Sequence, residues 1–357
     1  MLRFIWNKTW YGFLVMWGVI TVVFFLFNVL PGDPSRMMLD QREDSEQLAR
    51  IKKKYGFDQP IAKQYIHYLN DLSPISWHSL DREDFSHFKR YSNEPQVLFK
   101  LGNGQICLKA PFLRSSFRSQ GKSVTSILSE TFPNTLILAL AAMGIAMFLG
   151  LALGLIAAQF KGGWLDSSIS FVGTLGMSVP SFFSAILMAW IFGYLLSNWT
   201  GLNMTGSLYE VDLYGEGRYI AWSNLILPAI TLGIRPLAVI IQLTRSSILE
   251  ELGQDYIRTA KAKGLSQAQI LRKHALRNAL NPVITAASGW FASMLAGAVF
   301  VEYIFGWNGL GKQIVDALNQ LDLPVVMGAV LLIAITFVII SIVVDLLYAW
   351  IDPRVRT

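Results

Sequence analysis

Charge is scarce in this chain. Only 15% of its 357 residues are Asp, Glu, Lys or Arg, against about 25% in an ordinary soluble domain. The shortage is concentrated in long uncharged windows, which excludes a single soluble domain and points to a protein with several membrane spans. Cysteine is scarcer still. Cys107 stands alone, so an internal disulfide framework is excluded, and no Cys/His spacing suits zinc. His67, His78 and His87 fall in one loop at irregular spacing. They read as solvated side chains rather than metal ligands. The formal charge of +6 is not gathered into a basic patch interleaved with aromatics, so nucleic acid is not an expected partner. The excess reads instead as the cytoplasmic bias of membrane loops.

Apolar runs dominate what is present. Residues Thr9 to Gly32 carry no charge, enough for a helix to cross a hydrocarbon core of roughly 30 Å. The run is too long for a cleaved signal and ends in Leu-Pro-Gly-Asp-Pro, so it reads as a retained anchor. Further spans are expected over Thr131–Phe160, within Ser167–Tyr209, and over Ser223–Thr244, Asn278–Val301 and Leu323–Val344. Pro133 is expected at the start of the second span, and Pro180 should kink the third. The fold class is therefore all-α integral membrane with six transmembrane helices. A long external α+β loop region, 35–131, joins the first two. The chain divides into a first span (1–34), that loop region, and a core (132–357) with cytoplasmic helices over 248–281.

Orientation follows from the short loops. The 245–281 segment has seven Lys/Arg against three Asp/Glu, and the 200–221 loop has one against three. Basic loops stay inside, so both termini and the 245–281 segment are expected in the cytoplasm. In the outer region, Gln41–Tyr55 and Ile61–Leu72 read as helices. Val97–Lys100 and Gln105–Leu108 read as a hairpin around Leu101-Gly102-Asn103-Gly104. This region reads either as a decorated loop that covers the rim of the spans or as a docking surface.

The stretch Leu252–Pro282 is the longest polar interruption in the C-terminal half. Leu252, Tyr256 and Ala260 recur every fourth residue and are expected on one helix face. Glu250, Glu251 and Asp255 fall early in that helix and Lys261 and Lys263 late, complementing its dipole. Gly264 suits a left-handed cap, with Leu265 folding back. Ser266 and Gln269 make a capping box that starts a second helix. Two short amphipathic helices meeting at a corner make a docking shape, not a catalytic one.

At these residues the chain resembles the integral-membrane permease subunits of bacterial ABC importers, in the dipeptide/oligopeptide/nickel branch. The matching residues are Arg258-Thr259-Ala260, Gly264, and the run Lys273 to Pro282 that includes His274 and Arg277. Leu30-Pro31-Gly32-Asp33-Pro34, Tyr55 to Pro60, Leu243-Thr244-Arg245-Ser246-Ser247, Gly309-Leu310-Gly311 and Asp352-Pro353-Arg354 bracket the rest. The general importer motif has a glutamate where Arg258 stands and a proline where Arg277 stands; the peptide branch commonly departs in this way. The likeness covers 1–76 and 118–357, and 77–117 has no recognised counterpart. It implies a bacterial inner-membrane permease that forms half of a translocation pathway for peptides or similar solutes. The implied partners are a second permease subunit, two ATP-binding cassette subunits and an extracytoplasmic substrate-binding protein. It implies no catalytic residue, metal or cofactor in this chain, with ATP hydrolysis on a partner. The implied ATPase-coupling loop comprises Arg258, Thr259, Ala260, Lys261, Ala262, Gly264, Leu265, His274 and Arg277.

The alternative is an ion-coupled secondary transporter. Such carriers need charged groups or broken helices at the midplane, and of the expected spans only the fourth, with Arg235, carries a charge in its interior. A membrane hydrolase is excluded because Asp33, His274 and the serines fall on different sides of the membrane. Gly306 to Gln313 nearly matches a phosphate-binding loop, but Gln313 stands where a hydroxyl must ligate magnesium, and no strand precedes it. It reads as a turn that allows close packing. Arg235, about midway along the fourth span, costs about 2.5–3.5 kcal/mol there. Either it lines the substrate pathway and attracts a carboxylate, or it pairs internally with the Leu232 carbonyl, Glu302 or Asp345.

Overall fold

The computed structural model describes residues 2–29, 45–81, 84–87, 95–119, 121–212 and 217–351. The Leu30–Pro34 and Asp352–Arg354 motifs lie outside the described residues, as does the Gln41–Asp44 end of an expected helix. The chain separates into two compact units. One comprises Thr131–Val315 with Met1–Lys8 and Ile335–Thr357; the other comprises Thr9–Glu130 and Asp316–Ala334.

Long apolar helices form most of the structure. They are α1 (Leu2–Val29), α4 (Val124–Gln159), α8 (Ser223–Leu252), α11 (Leu276–Phe305) and α13 (Leu323–Ile351). Between α1 and α4 lie α2 (Ser45–Tyr55), α3 (Ile61–Leu72), β1 (Ile75–Ser79), β2 (Gln96–Leu101) and β3 (Gly104–Leu108). After α4 come α5 (Trp164–Ser178), α6 (Ser181–Trp190) with a π-helical extension (Ile191–Leu195), and the single turn α7 (Ser197–Thr200). A ribbon of β4 (Tyr209–Val211) and β5 (Arg218–Ile220) precedes α8. Two short helices follow α8, namely α9 (Asp255–Ala262) and α10 (Gln267–Ile270); α12 (Leu310–Asn319) follows α11.

Among the described residues, five helices are long and apolar enough to cross a membrane, and six if α5 and α6 count as one bent span. The bend there is 109°, much sharper than a kink within a continuous helix: α5 stops at Ser178 and α6 starts at Ser181, with Pro180 between them. Its ring leaves Val179 extended (φ −84°, ψ 130°), as expected before a proline. Pro133 also departs from expectation. It lies inside α4, because the helix begins at Val124 and not at the first uncharged residue.

In the first unit, α4 presents a stripe of small residues, Ala142, Ala146, Gly150 and Gly154, to α8. Gly150 abuts Ile240 and Gly154 abuts Thr244. Small residues at this spacing let two helices approach closely where lipid supplies no hydrophobic drive. Leu138, Leu227, Leu232, Met294, Phe305 and Trp307 fill the core beside it. Lys8 and Asp345, from the first and last helices, form an ion pair at 2.6 Å.

In the second unit, β1, β3 and β2 form an antiparallel sheet in that order. The expected hairpin is present, with Leu101 opposite Gly104 across a Gly102-Asn103 loop. β1 was not expected, because the short polar run Ile-Ser-Trp-His-Ser carries little strand signal; pairing along β3 supplies it. The histidine expectation is also corrected. His78 and His87 are buried, not solvated. His78 bridges the Ser76 hydroxyl at 2.8 Å and the Ser86 carbonyl at 2.9 Å. No group of three or more potential metal ligands forms among the described residues.

Candidate functional site

The corner between α9 and α10 is built outward from the base of α8. Gly253, a poor helix former, ends α8, and Gln254 turns extended (φ −73°, ψ 151°) to start α9. Glu250 and Glu251 therefore close α8 instead of opening α9, and Asp255 alone occupies the first turn of α9. The break also overturns the expected stripe. Leu252 and Tyr256 stand on different helices, and Tyr256 faces out. Ile257 and Ala260 are the inward residues, packed with Ile248, Ile270, Ala275 and Ala279.

The turn itself forms as its residues dictate. Gly264 adopts φ +80°. The Leu265 amide donates to the Ala260 carbonyl at 3.3 Å and the Gly264 amide to Lys261 at 2.9 Å. This pair of bonds is the Schellman arrangement, and Leu265 packs back on the same cluster. Ser266 then caps α10 reciprocally with Gln269. The second arm is not a separate short helix, however. A π-helical turn, Leu271–Ala275, carries α10 directly into α11, giving one helical path from Gln267 to Phe305.

Of the predicted residues, Ala260 and Leu265 anchor the turn from inside. Arg258, Thr259, Lys261, Ala262 and Gly264 are exposed on its outer side, His274 sits half-buried in the π-helical turn, and Arg277 is exposed beyond it. A Cβ added at Gly264 would meet nothing within 4 Å. Arg258 pairs with Asp255 at 3.3 Å, an exposed contact of little energetic weight.

Sequence reasoning missed a polar staple across the corner. The Tyr256 hydroxyl donates to the Glu251 carboxylate and accepts from the side-chain Nδ2 of Asn278, linking the ends of α8 and α11. Burial first, then the bond to Glu251, pushes the Tyr256 phenol above its ordinary range, so it stays a neutral donor. Nothing in the spacing of these residues signals the link, because it depends on the break at Gly253.

Above the corner, Arg245 makes a two-pronged contact with Asp166, Nε to Oδ1 at 2.5 Å and Nη2 to Oδ2 at 2.7 Å. Asp166 also accepts from the Gly162 amide at 2.9 Å. The contact fixes the α4–α5 turn on α8. A lysine cannot reproduce the fork. Arg245→Ala is therefore expected to lower the thermal midpoint of the purified complex by several degrees, with Arg245→Lys between it and wild type; a thermal-shift assay in detergent checks this.

Arg235 takes neither ion-pair partner considered for it. Asp345 pairs with Lys8, and Glu302 is engaged elsewhere. Arg235 is exposed and, with no hydrogen bond or ion pair among the described residues, borders a cavity of about 160 Å³ shared with Ser181, Ser184, Thr231, Trp290 and Ser293.

Glu302 lies wholly buried near the end of α11. Its Oε2 accepts from the backbone amides of Gly311 at 2.6 Å and Lys312 at 3.2 Å, at the start of α12, where a carboxylate complements the helix dipole. Gly309 and Gly311 leave room for it; a Cβ at Gly311 would fall 2.5 Å from Val299 Cα. The amides that a phosphate would need are thus taken by the protein's own carboxylate.

Residues 150–357 match the family described as binding-protein-dependent transport system inner membrane component, and residues 1–77 match its N-terminal counterpart. The di/tripeptide transport system permease protein of Pseudomonas aeruginosa is 35% identical over 100% of this chain and 99% of its own length. The probable D,D-dipeptide transport system permease protein of Escherichia coli is 32% identical over 98% and 96%. Both alignments run through 77–117, the segment with no counterpart recognised from sequence. In fold, the chain resembles the MetNI methionine ABC transporter in an inward-facing structure, with a TM-score of 0.52 at 16% identity, covering 64% of this chain and 98% of that one.

Proposed function

Because this chain belongs to the family of binding-protein-dependent transport system inner membrane components, and so is the permease subunit of an ABC importer, we propose that the Gly264 corner is where a separate ATPase takes hold. The observation that carries this reading is the contrast within the corner. Its inner side is an apolar cluster continuous with α4, α8 and α11, while its outer side, from Arg258 to Gly264, is exposed. A rigid, anchored projection transmits displacement, whereas a loose loop would absorb it.

The substrates are small peptides, in keeping with the names of the full-length relatives. The partners are a second permease, identical or different, two ATPase subunits and an external binding protein. The excess of Lys/Arg in 245–281 supports a cytoplasmic corner and cytoplasmic termini, with 35–131 outside. ATP binding closes the ATPases and displaces the segment from Ala260 to Leu265. The attached spans tilt as rigid bodies, and the passage changes the side to which it opens. Arg258, Lys261 and Lys263 tune the docking through rim contacts. Family membership sets aside the ion-coupled alternative.

The test is a crosslink. Cysteine at exposed Lys263, in a Cys107→Ser background, is expected to couple to the ATPase subunit in the assembled importer. Uptake should also stop when ATP is depleted with the ion gradient held. A Lys263→Cys protein that reacts only with reagents applied from the external side overturns the assignment.

A further inference from the structure

The interior of a membrane span is a costly place for a guanidinium, and one that is retained there ordinarily has a protein partner. Arg235 has none among the described residues, although it lies about midway along α8. Its cavity also has a consistent chemistry. The lining holds the hydroxyl residues Ser181, Ser184, Thr231 and Ser293 and the indole of Trp290, but no Asp or Glu. The charge is therefore not neutralised within the cavity.

The wall is also open. Arg235 and Ser293 are exposed, and a Cβ at Gly297, which borders the same cavity, would meet nothing within 4 Å. A cation, several hydroxyls and one aromatic face, without a competing acid, make a receptor for a small anion. A guanidinium presents its donors in a planar fork matched to a carboxylate.

From this juxtaposition we infer that Arg235, with the hydroxyls of Ser181 and Ser184 beside it, is a transient subsite for the free carboxylate of the solute as it passes this permease. The inference rests on the transport reading above and deepens it: the cargo is carboxylate-bearing, and this chain contributes selectivity of its own. The subsite must be weak, because a passage works only where a site both admits and releases its cargo. Neighbouring hydroxyls, which have no charge, and access from open space suit that requirement.

The experiment uses the whole importer in proteoliposomes, with saturating binding protein loaded with a dialanine probe. Uptake and binding-protein-stimulated ATPase activity are measured for wild type, Arg235→Gln and Arg235→Lys. Loss of a charge-assisted hydrogen-bonded pair corresponds to about a ten- to hundredfold effect. Arg235→Gln is expected to lose uptake in that range while ATPase stimulation stays near wild type, and Arg235→Lys to recover a large part. Wild-type uptake by Arg235→Gln overturns the subsite and leaves the transport reading intact. Equal loss of uptake and of ATPase stimulation in both variants also overturns it, since that marks a structural role. A wild-type importer without ATP-dependent uptake sinks the transport reading itself, and the subsite with it.

Discussion

Gly264→Asp is expected to cut uptake about tenfold or more while the permease still accumulates and still binds its ATPase partner. Two magnitudes support that separation. A side chain at φ +80° costs roughly 1–2 kcal/mol, and Asp tolerates this conformation better than most residues. Such a cost is too small to unfold the chain. The Cβ also meets nothing of its own protein within 4 Å, so under the proposed docking the new carboxylate is felt by the partner and not by the chain itself. At a docked surface, about 1.4 kcal/mol is a factor of ten, and an unpaired carboxylate shut away from water costs more than that. Gly264→Asn sharpens the test, because asparagine tolerates left-handed backbone well yet still protrudes. Both variants should fail in uptake, with binding-protein-stimulated ATPase activity retained in whole or part. Normal uptake by Gly264→Asn with loss in Gly264→Asp would make charge the operative factor, not the intrusion of a side chain. Normal uptake by both would remove the corner from the coupling route.

Glu302→Ala is expected to abolish most of the assembled complex. The substitution strips the acceptor from the buried amide of Gly311 and from that of Lys312, at about 1–3 kcal/mol for each, and leaves a void beneath Gly309 and Gly311. The sum is a large share of the 5–15 kcal/mol that holds a typical domain. Glu302→Gln keeps one acceptor oxygen and nearly the same volume, so it should retain most of the complex. Gly311→Val should resemble Glu302→Ala for a different reason, since its Cβ would fall on the backbone at Val299. Detergent extraction followed by size-exclusion chromatography and a thermal ramp separates the three. Wild-type yield and midpoint for Glu302→Ala would show that the α11–α12 junction holds without its carboxylate.

Much of this architecture was legible in the residues. Uncharged runs located the apolar helices, because lipid tolerates little else over such lengths. Gly264, Ser266 and Gln269 announced the corner because each suits only a few backbone conformations. What failed depended on context. Gly253 is one weak helix former among strong ones, and whether it ends a helix is decided by what Ile257 can bury. The every-fourth-residue count across that break therefore selected Tyr256, one residue out of phase. His78 looked solvated because its polar neighbours in sequence are also its buried hydrogen-bonding partners in space. Pro180 signalled a disturbance but not its size, which follows from the packing of α5 and α6 on α8. Arg235 was conspicuous as a charge in an apolar run, yet sequence could not tell whether Glu302 and Asp345 were available to it.

The uninterrupted path from Gln267 to Phe305 has a geometric consequence. Its 39 residues measure about 58 Å end to end at 1.5 Å per residue, with the capped corner at one tip and the Glu302 clamp near the other. Each degree of rotation about the near tip then sweeps the far one through about 1 Å. A few degrees of rocking would move the distant mouth by the width of a peptide group, with no hydrogen bond in the rod having to break.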